Sequence, residues 1–240
     1  MTLAVLSLLA ALTSADAIAT LLNSKGSASA RTFAQAKEIV EREASEGKVL
    51  QQFVIGVTTE DRGLAEKYLN ASREKIRFLA EKKDNSLAWY LLSMEGNDFR
   101  CLQRAADGGN VQALNALGTI ALASLANRKK VSADEKAKIE AECHGYFRKA
   151  ALQRDTNGLI NLGTCYQRGI GCPADLVVAF RCFQAAADLG HPEGMDYVSA
   201  CYQFGHGVRK DAEKSLVWAM RGRAARGDEA AAKWLKERRQ

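Results

Sequence analysis

Six cysteines and three histidines are the residues of this 240-residue chain whose types could do metal or thiol chemistry. Metal binding needs several ligands converging from one face or one turn. Cys143 and His144 are adjacent, so on a helix they point about 100° apart and do not share a face. His191 and His206 fall in turn-like stretches and share no ligand spacing. The Gly-x-Gly pairs at 169–171 and 205–207 follow no strand, so they read as turn glycines and not as a phosphate cradle. The chain has no G-x-S-x-G and no glycine-rich loop leading into Lys-Ser or Lys-Thr. Its carboxylates alternate with Lys and Arg at helical spacing, as on a solvated face. The sequence therefore nominates no catalytic residue, no cofactor and no metal.

The elements that would position any site are repeated ones. Residues 158–190 read GLINLGTCYQRGIGCPADLVVAFRCFQAAADLG, and 194–227 carry the same pattern again. Tyr166 and Tyr202, Gly169 and Gly205, Gly171 and Gly207, and Asp175 and Asp211 are each 36 residues apart. Such a period marks stacked supersecondary units, none of which can bury its apolar face alone. Leu159, Leu162 and Tyr166 share one helix face. Gly169 and Gly171 stop that helix, and Asp175 N-caps a second one that carries Ala179, Phe183 and Ala186 and ends at Gly190. Each unit is thus helix, glycine-rich turn, helix, with small residues letting the pair approach closely.

These residues carry a resemblance. LGTCYQRGIG, Asp175, Ala179 and AAADLGHPEG resemble the SEL-one-like repeat (SLR), a relative of the tetratricopeptide repeat, and so do SACYQFGHGV, Asp211, Trp218 and Gly227, with Ser199 in place of the usual Gly. The resemblance implies an all-α, right-handed α/α superhelix whose concave wall is formed by the first helices of the pairs. It also implies a non-catalytic scaffold that binds a protein partner. In related tetratricopeptide arrays ligands lie along the first helices, beside the Leu-Gly pair. Carried over, that position nominates Asn161, Thr164, Gln167 and Arg168 in the clearest unit, Asp196 and Gln203 in the next, and Asn115 in the preceding one. Some cysteine-rich relatives are exported and are associated with β-lactam binding or hydrolysis, which with a structural role in the cell envelope forms the alternative reading.

Cysteine-rich members of the family also bridge neighbouring helices, and an even count of six fits disulfides in an exported chain. Cys165 and Cys201 occupy equivalent positions in consecutive units, as do Cys101 and Cys182 two units apart, and stacked equivalents exceed the roughly 7 Å Cα separation a bridge allows. Cys182 and Cys201 flank His191 at similar distances along the chain, which places them level on adjacent helices and makes them the candidate pair. Buried free thiols filling small core positions are the other reading.

With 47% apolar residues, the chain can bury a sizeable interior, and its only prolines, Pro173 and Pro192, lie in turns. Second-helix ends recur at Gly47, Asp84, Gly109, Asp155, Gly190 and Gly227, which predicts about five to six helix-turn-helix repeats over residues 23–227. The charged stretch 127–142 reads as an insertion. Residues 228–240 form a capping helix with Asp228 as N-cap and Ala231, Trp234 and Leu235 as its apolar stripe. Residues 1–22 admit two readings. LAVLSLLAAL followed by Ala15-Asp16-Ala17 resembles an export signal, which would make the protein periplasmic or secreted, but no Lys or Arg precedes Lys25. Otherwise the stretch is the first helix, a partner for residues 36–47. It is too short for an integral membrane span. The formal charge of +6 is concentrated after residue 208, where ten Lys or Arg face five Asp or Glu. This stretch reads as a solvated capping face, and no nucleic acid partner is expected.

Overall fold

The computed structural model describes residues 61–238 apart from Asn97 and Lys129, together with Gln52. The stretches 1–22 and 36–47 lie outside the described residues. Among the described residues every regular element is a helix: α1 (Arg62–Lys83), α2 (Ser86–Gly96), α3 (Phe99–Asp107), α4 (Val111–Asn127), α5 (Ala133–Leu152), α6 (Thr156–Arg168), α7 (Leu176–Asp188), α8 (Pro192–Phe204), α9 (Ala212–Ala225) and α10 (Glu229–Glu237). The chain divides into two compact units, Met1–Gln112 and Ala113–Gln240.

In the first unit, side chains set the helix limits. The Asp61 carboxylate accepts from the Leu64 amide at 3.0 Å and starts α1. Asp84 ends it in the left-handed region, at φ 46°, as the expected boundary there required. Asp98 starts α3 by accepting from the Arg100 amide at 2.8 Å. Ile76, Ala80, Ala88, Leu91, Leu102 and Ala105 make up the interior that these helices share.

The second unit repeats one packing rule. A glycine on the first helix of a pair receives a phenylalanine from the second. A Cβ at Gly118 would lie 2.5 Å from the Phe147 ring, and one at Gly163 would lie 2.6 Å from the Phe183 ring. Burying a Phe against a bare backbone removes a large apolar area from water, worth roughly 2–3 kcal/mol per ring. In the α8–α9 pair the sizes are exchanged. Ser199 takes the glycine position, Ala219 stands 36 residues after Phe183, and the Ser199 hydroxyl donates to the Ser215 carbonyl at 2.8 Å. A hydrogen bond replaces a ring-in-groove contact there.

The turns repeat bond for bond. In one copy the Ile170 amide donates to the Cys165 carbonyl at 2.9 Å, and the Asp175 amide to the Tyr166 carbonyl at 2.8 Å. In the next, His206 donates to Cys201 at 3.1 Å and Asp211 to Tyr202 at 3.0 Å. Gly171 and Gly207, at φ 65° and 71°, then press backbone to backbone against the second helix of the preceding pair. A Cβ on either would overlap a main-chain carbonyl, that of Glu140 on α5 or of Leu176 on α7. The charged stretch expected as an insertion is largely taken up as extra N-terminal turns of α5. Ser132 caps them by accepting from the Glu135 amide at 3.2 Å, and Arg128 pairs with Glu135. At the other end Asp228 caps α10 as expected, accepting from the Ala231 amide at 3.0 Å.

His191 N-caps α8 where Asp155, 36 residues earlier, caps α6. Its Nδ1 accepts from the Gly194 amide at 3.4 Å, while the ring is 6% exposed and Nε2 meets no partner. An accepting Nδ1 requires the neutral ring. Burial pushes the imidazole pKa down, against the pull of Glu193 and Asp155.

Two outcomes are expected. Gly190 has φ 87° but open space around it, so Gly190→Ala costs only the left-handed strain of about 1–2 kcal/mol. Gly171→Ala and Gly207→Ala add a backbone clash, for about 3 kcal/mol or more in all, read as a drop in urea midpoint. Neutral His191 contributes stability that is fully present above the unfolded imidazole pKa of about 6.5 and is lost as pH falls through the lowered folded value. His191→Asn puts a capping oxygen, which does not titrate, in place of Nδ1, so its stability profile between about pH 5 and 7 is flatter than that of the parent chain.

Candidate functional site

The nominated first-helix residues divide by register. Asn115 on α4 and Asn161 on α6 meet: the Asn161 amide donates to Asn115 Oδ1 at 3.5 Å, and the Asn115 amide donates to Asp155 Oδ1 at 2.7 Å. The same Asp155 oxygen accepts from the Gly158 amide at 2.7 Å, so one carboxylate caps α6 and holds α4 beside it. Thr164 donates its hydroxyl to the Ile160 carbonyl at 3.0 Å, one turn back. Gln167 is half-buried, and Arg168 is exposed in the last turn of α6. The Asn115–Asn161 contact does not extend to α8 by simple repetition. Measured from the Leu-Gly pair, the equivalent of Asn115 on α6 is Ile160, which lies in the core. The equivalent of Asn161 on α8 is Tyr197, which stacks on Phe183 with ring centroids 4.4 Å apart. Asp196 is tied to Arg226 in an ion pair after α9, and Gln203 stands exposed near the end of α8.

All the cysteines of the chain, each within the described residues, are free thiols. The candidate pair Cys182 and Cys201 is unbridged in the structure, because the two side chains enter different clusters. Cys182 packs against Cys143, Phe147, Leu162 and Cys165, whereas Cys201 is buried with Phe183, Ala187 and Val198. Burial pushes each of these two thiols up to about 11. The thiols that do meet are Cys143 on α5 and Cys165 on α6, buried in one cluster with Phe147 and Leu162, where the neighbouring Cys165 thiol and burial push the Cys143 pKa up. No shared spacing announces that pair, since the 36-residue equivalent of Cys143 is Ala179 and no second cysteine marks the position.

A second feature was absent from the sequence reading. In the first unit, α1, α2 and α3 enclose a cleft of about 620 Å³ lined by Arg73, Arg77, Arg100, Arg104, Trp89 and Leu92, with Glu81, Asp98 and Cys101. Its sequence signal is two arginine pairs at i, i+4, which place each pair on one helix face. Among the described residues no group of three or more His, Cys, Asp or Glu could hold a metal ion, and no helix is long and apolar enough to cross a membrane.

A family model described as the Sel1 repeat matches residues 99–110, 156–191 and 192–219. The rat (Rattus norvegicus) protein DAP3-binding cell death enhancer 1 is 31% identical over 90 residues, which are 38% of this chain and 16% of that protein, so the chain spans only a small part of this curated relative. Among solved structures, a Sel1 repeat protein from Oxalobacter formigenes has 24% identity and a TM-score of 0.45, over 53% of this chain and 90% of that one. A protective antigen present in uropathogenic Escherichia coli strains and displaying an SLR fold has 20% identity and a TM-score of 0.53, over 84% of this chain and 45% of the antigen's. The likeness to the antigen shows an all-α superhelical repeat fold. Sel1 repeat proteins are in general protein-interaction scaffolds. The matched residues coincide with α3, with the α6–α7 pair, and with α8 and the first half of α9; over them the chain is similar to the Sel1 repeat.

Proposed function

We propose that the protein is a non-catalytic scaffold whose partner protein docks on the polar side of the first helices, at Asn115, Asn161, Thr164, Gln167 and Arg168, with Asp196 and Gln203 of α8 at the edge of the surface. The observation that carries this reading is the Asn161–Asn115–Asp155 chain of hydrogen bonds. It orients two half-buried carboxamides from consecutive first helices side by side. A carboxamide both donates and accepts, so an oriented pair can engage the main chain of an extended peptide. Preorganisation also lowers the entropic cost of ordering these side chains on binding. The rat relative, whose name describes binding to another protein, points to the same class of activity.

The test replaces Asn161, Gln167 and Gln203 together with Ala, after an affinity pull-down with the intact chain has identified a partner. These half-buried or exposed truncations should each cost within about 1 kcal/mol of stability, so the triple variant stays folded with a thermal midpoint lowered by at most about 10 °C. Affinity measured by calorimetry should fall about tenfold or more. Unchanged affinity in a folded variant would remove the first-helix surface from consideration.

A further inference from the structure

The cleft of the first unit carries more positive charge than its own carboxylates answer. Arg73 and Arg77 project from α1, and Arg100 and Arg104 from α3. Arg73 bonds Asn70 Oδ1 at 3.3 Å. Among the described residues, Arg77, Arg100 and Arg104 form no ion pair. Two carboxylates share the lining, and one is already occupied. Asp98 accepts from the Arg100 amide at 2.8 Å and from the Cys101 thiol at 3.5 Å, bonds that cap α3. The α2 wall is held in place. Trp89 donates its indole N–H to Asp84 at 3.0 Å, and the Arg104 guanidinium lies over its ring, 5.3 Å from the centroid.

We propose that this cleft docks an acidic linear segment of a partner protein, its carboxylates held by Arg77, Arg100 and Arg104 and its chain laid along Trp89 and Leu92. Guanidinium forks match carboxylates in bidentate geometry, and four arginines on two facing helices set at least two such contacts apart along a peptide. A volume of about 620 Å³ is that of an ordinary ligand cleft, room for a few residues. Nucleic acid fits less well. Arg104 already covers one face of the lone indole, and Glu81 and Asp98 at the same surface would repel a continuous phosphate backbone while tolerating spaced carboxylates. The site belongs to the first unit and is independent of the Asn115–Asn161 surface in the second.

The experiment uses the full chain and a fluorescein-labelled octapeptide of sequence Glu-Asp-Leu-Glu-Asp-Leu-Glu-Asp, titrated by fluorescence anisotropy. The matched Gln/Asn octapeptide and a labelled hexathymidylate serve as comparisons. The acidic peptide should bind with an affinity that falls as salt rises, and the amide peptide should bind at least about tenfold more weakly. Arg77→Gln, Arg100→Gln and Arg104→Gln should each weaken the acidic peptide about three- to tenfold with unaltered melting curves. Among the described residues the Arg100 side chain makes no hydrogen bond or ion pair, so its variant decides the matter even if Arg104→Gln loosens Trp89. Arg209→Gln, in the basic C-terminal stretch, should leave the affinity unchanged. Absent binding, full affinity in the three cleft variants, equal weakening by Arg209→Gln, or tighter binding of hexathymidylate would each overturn the proposal.

Discussion

The second unit depends on two places where backbone meets backbone. At Gly171 and Gly207 the turn of one helix pair touches a main-chain carbonyl of the pair before it, closer than any side chain could stand. Side-chain packing tolerates exchange of size, as Ser199 and Ala219 demonstrate, because rotamers and small shifts can refill the space. A backbone contact has no such freedom. The approach therefore sets the spacing from one pair to the next, and the Gly118–Phe147 and Gly163–Phe183 contacts set the spacing within a pair. Between them they account for why the 36-residue pattern is strictest at its glycines and looser at its apolar positions.

Much of this is legible in the chain. Asp175, Asp211 and Asp228 each accept amide bonds at the start of the helix that their position announces, because a cap is a local device needing only its own next few residues. The second-helix ends at Asp84, Gly109, Asp155, Gly190 and Gly227 are legible for the same reason. The sites are harder to read, since they depend on which face of each helix turns outward. A polar residue beside the Leu-Gly pair reads as a surface residue, yet the equivalents of Asn115 and Asn161 in neighbouring pairs are Ile160 in the core and Tyr197 stacked on Phe183. Only the α4–α6 pairing brings the two carboxamides together.

The cysteines show the same limit more sharply. Counting from His191 places Cys182 and Cys201 level, but level is not facing, and the two thiols enter separate clusters. Cys143 and Cys165 meet although 22 residues and no shared period connect them. Cys143 stands where Ala179 stands one unit later, so its contact with Cys165 depends on which neighbouring helix face that position meets, and the repeat pattern alone does not state this. The arginine cleft was missed for another reason. Each of its pairs, taken alone, looks like a solvated helix face, and only the packing of α1, α2 and α3 turns two such faces toward one space.

The added turns of α5 also separate length from stacking. Gly171 docks against Glu140, so the turns before that residue extend past the contact that sets the position of the next pair. Ser132 and Arg128 close the start of the helix locally, through Glu135, without calling on any other pair. Residues joining α4 to α5 can thus lengthen or shorten while every glycine contact downstream stays in register. This is the part of the molecule where evolution, or an engineer placing a reporter sequence, has the most room.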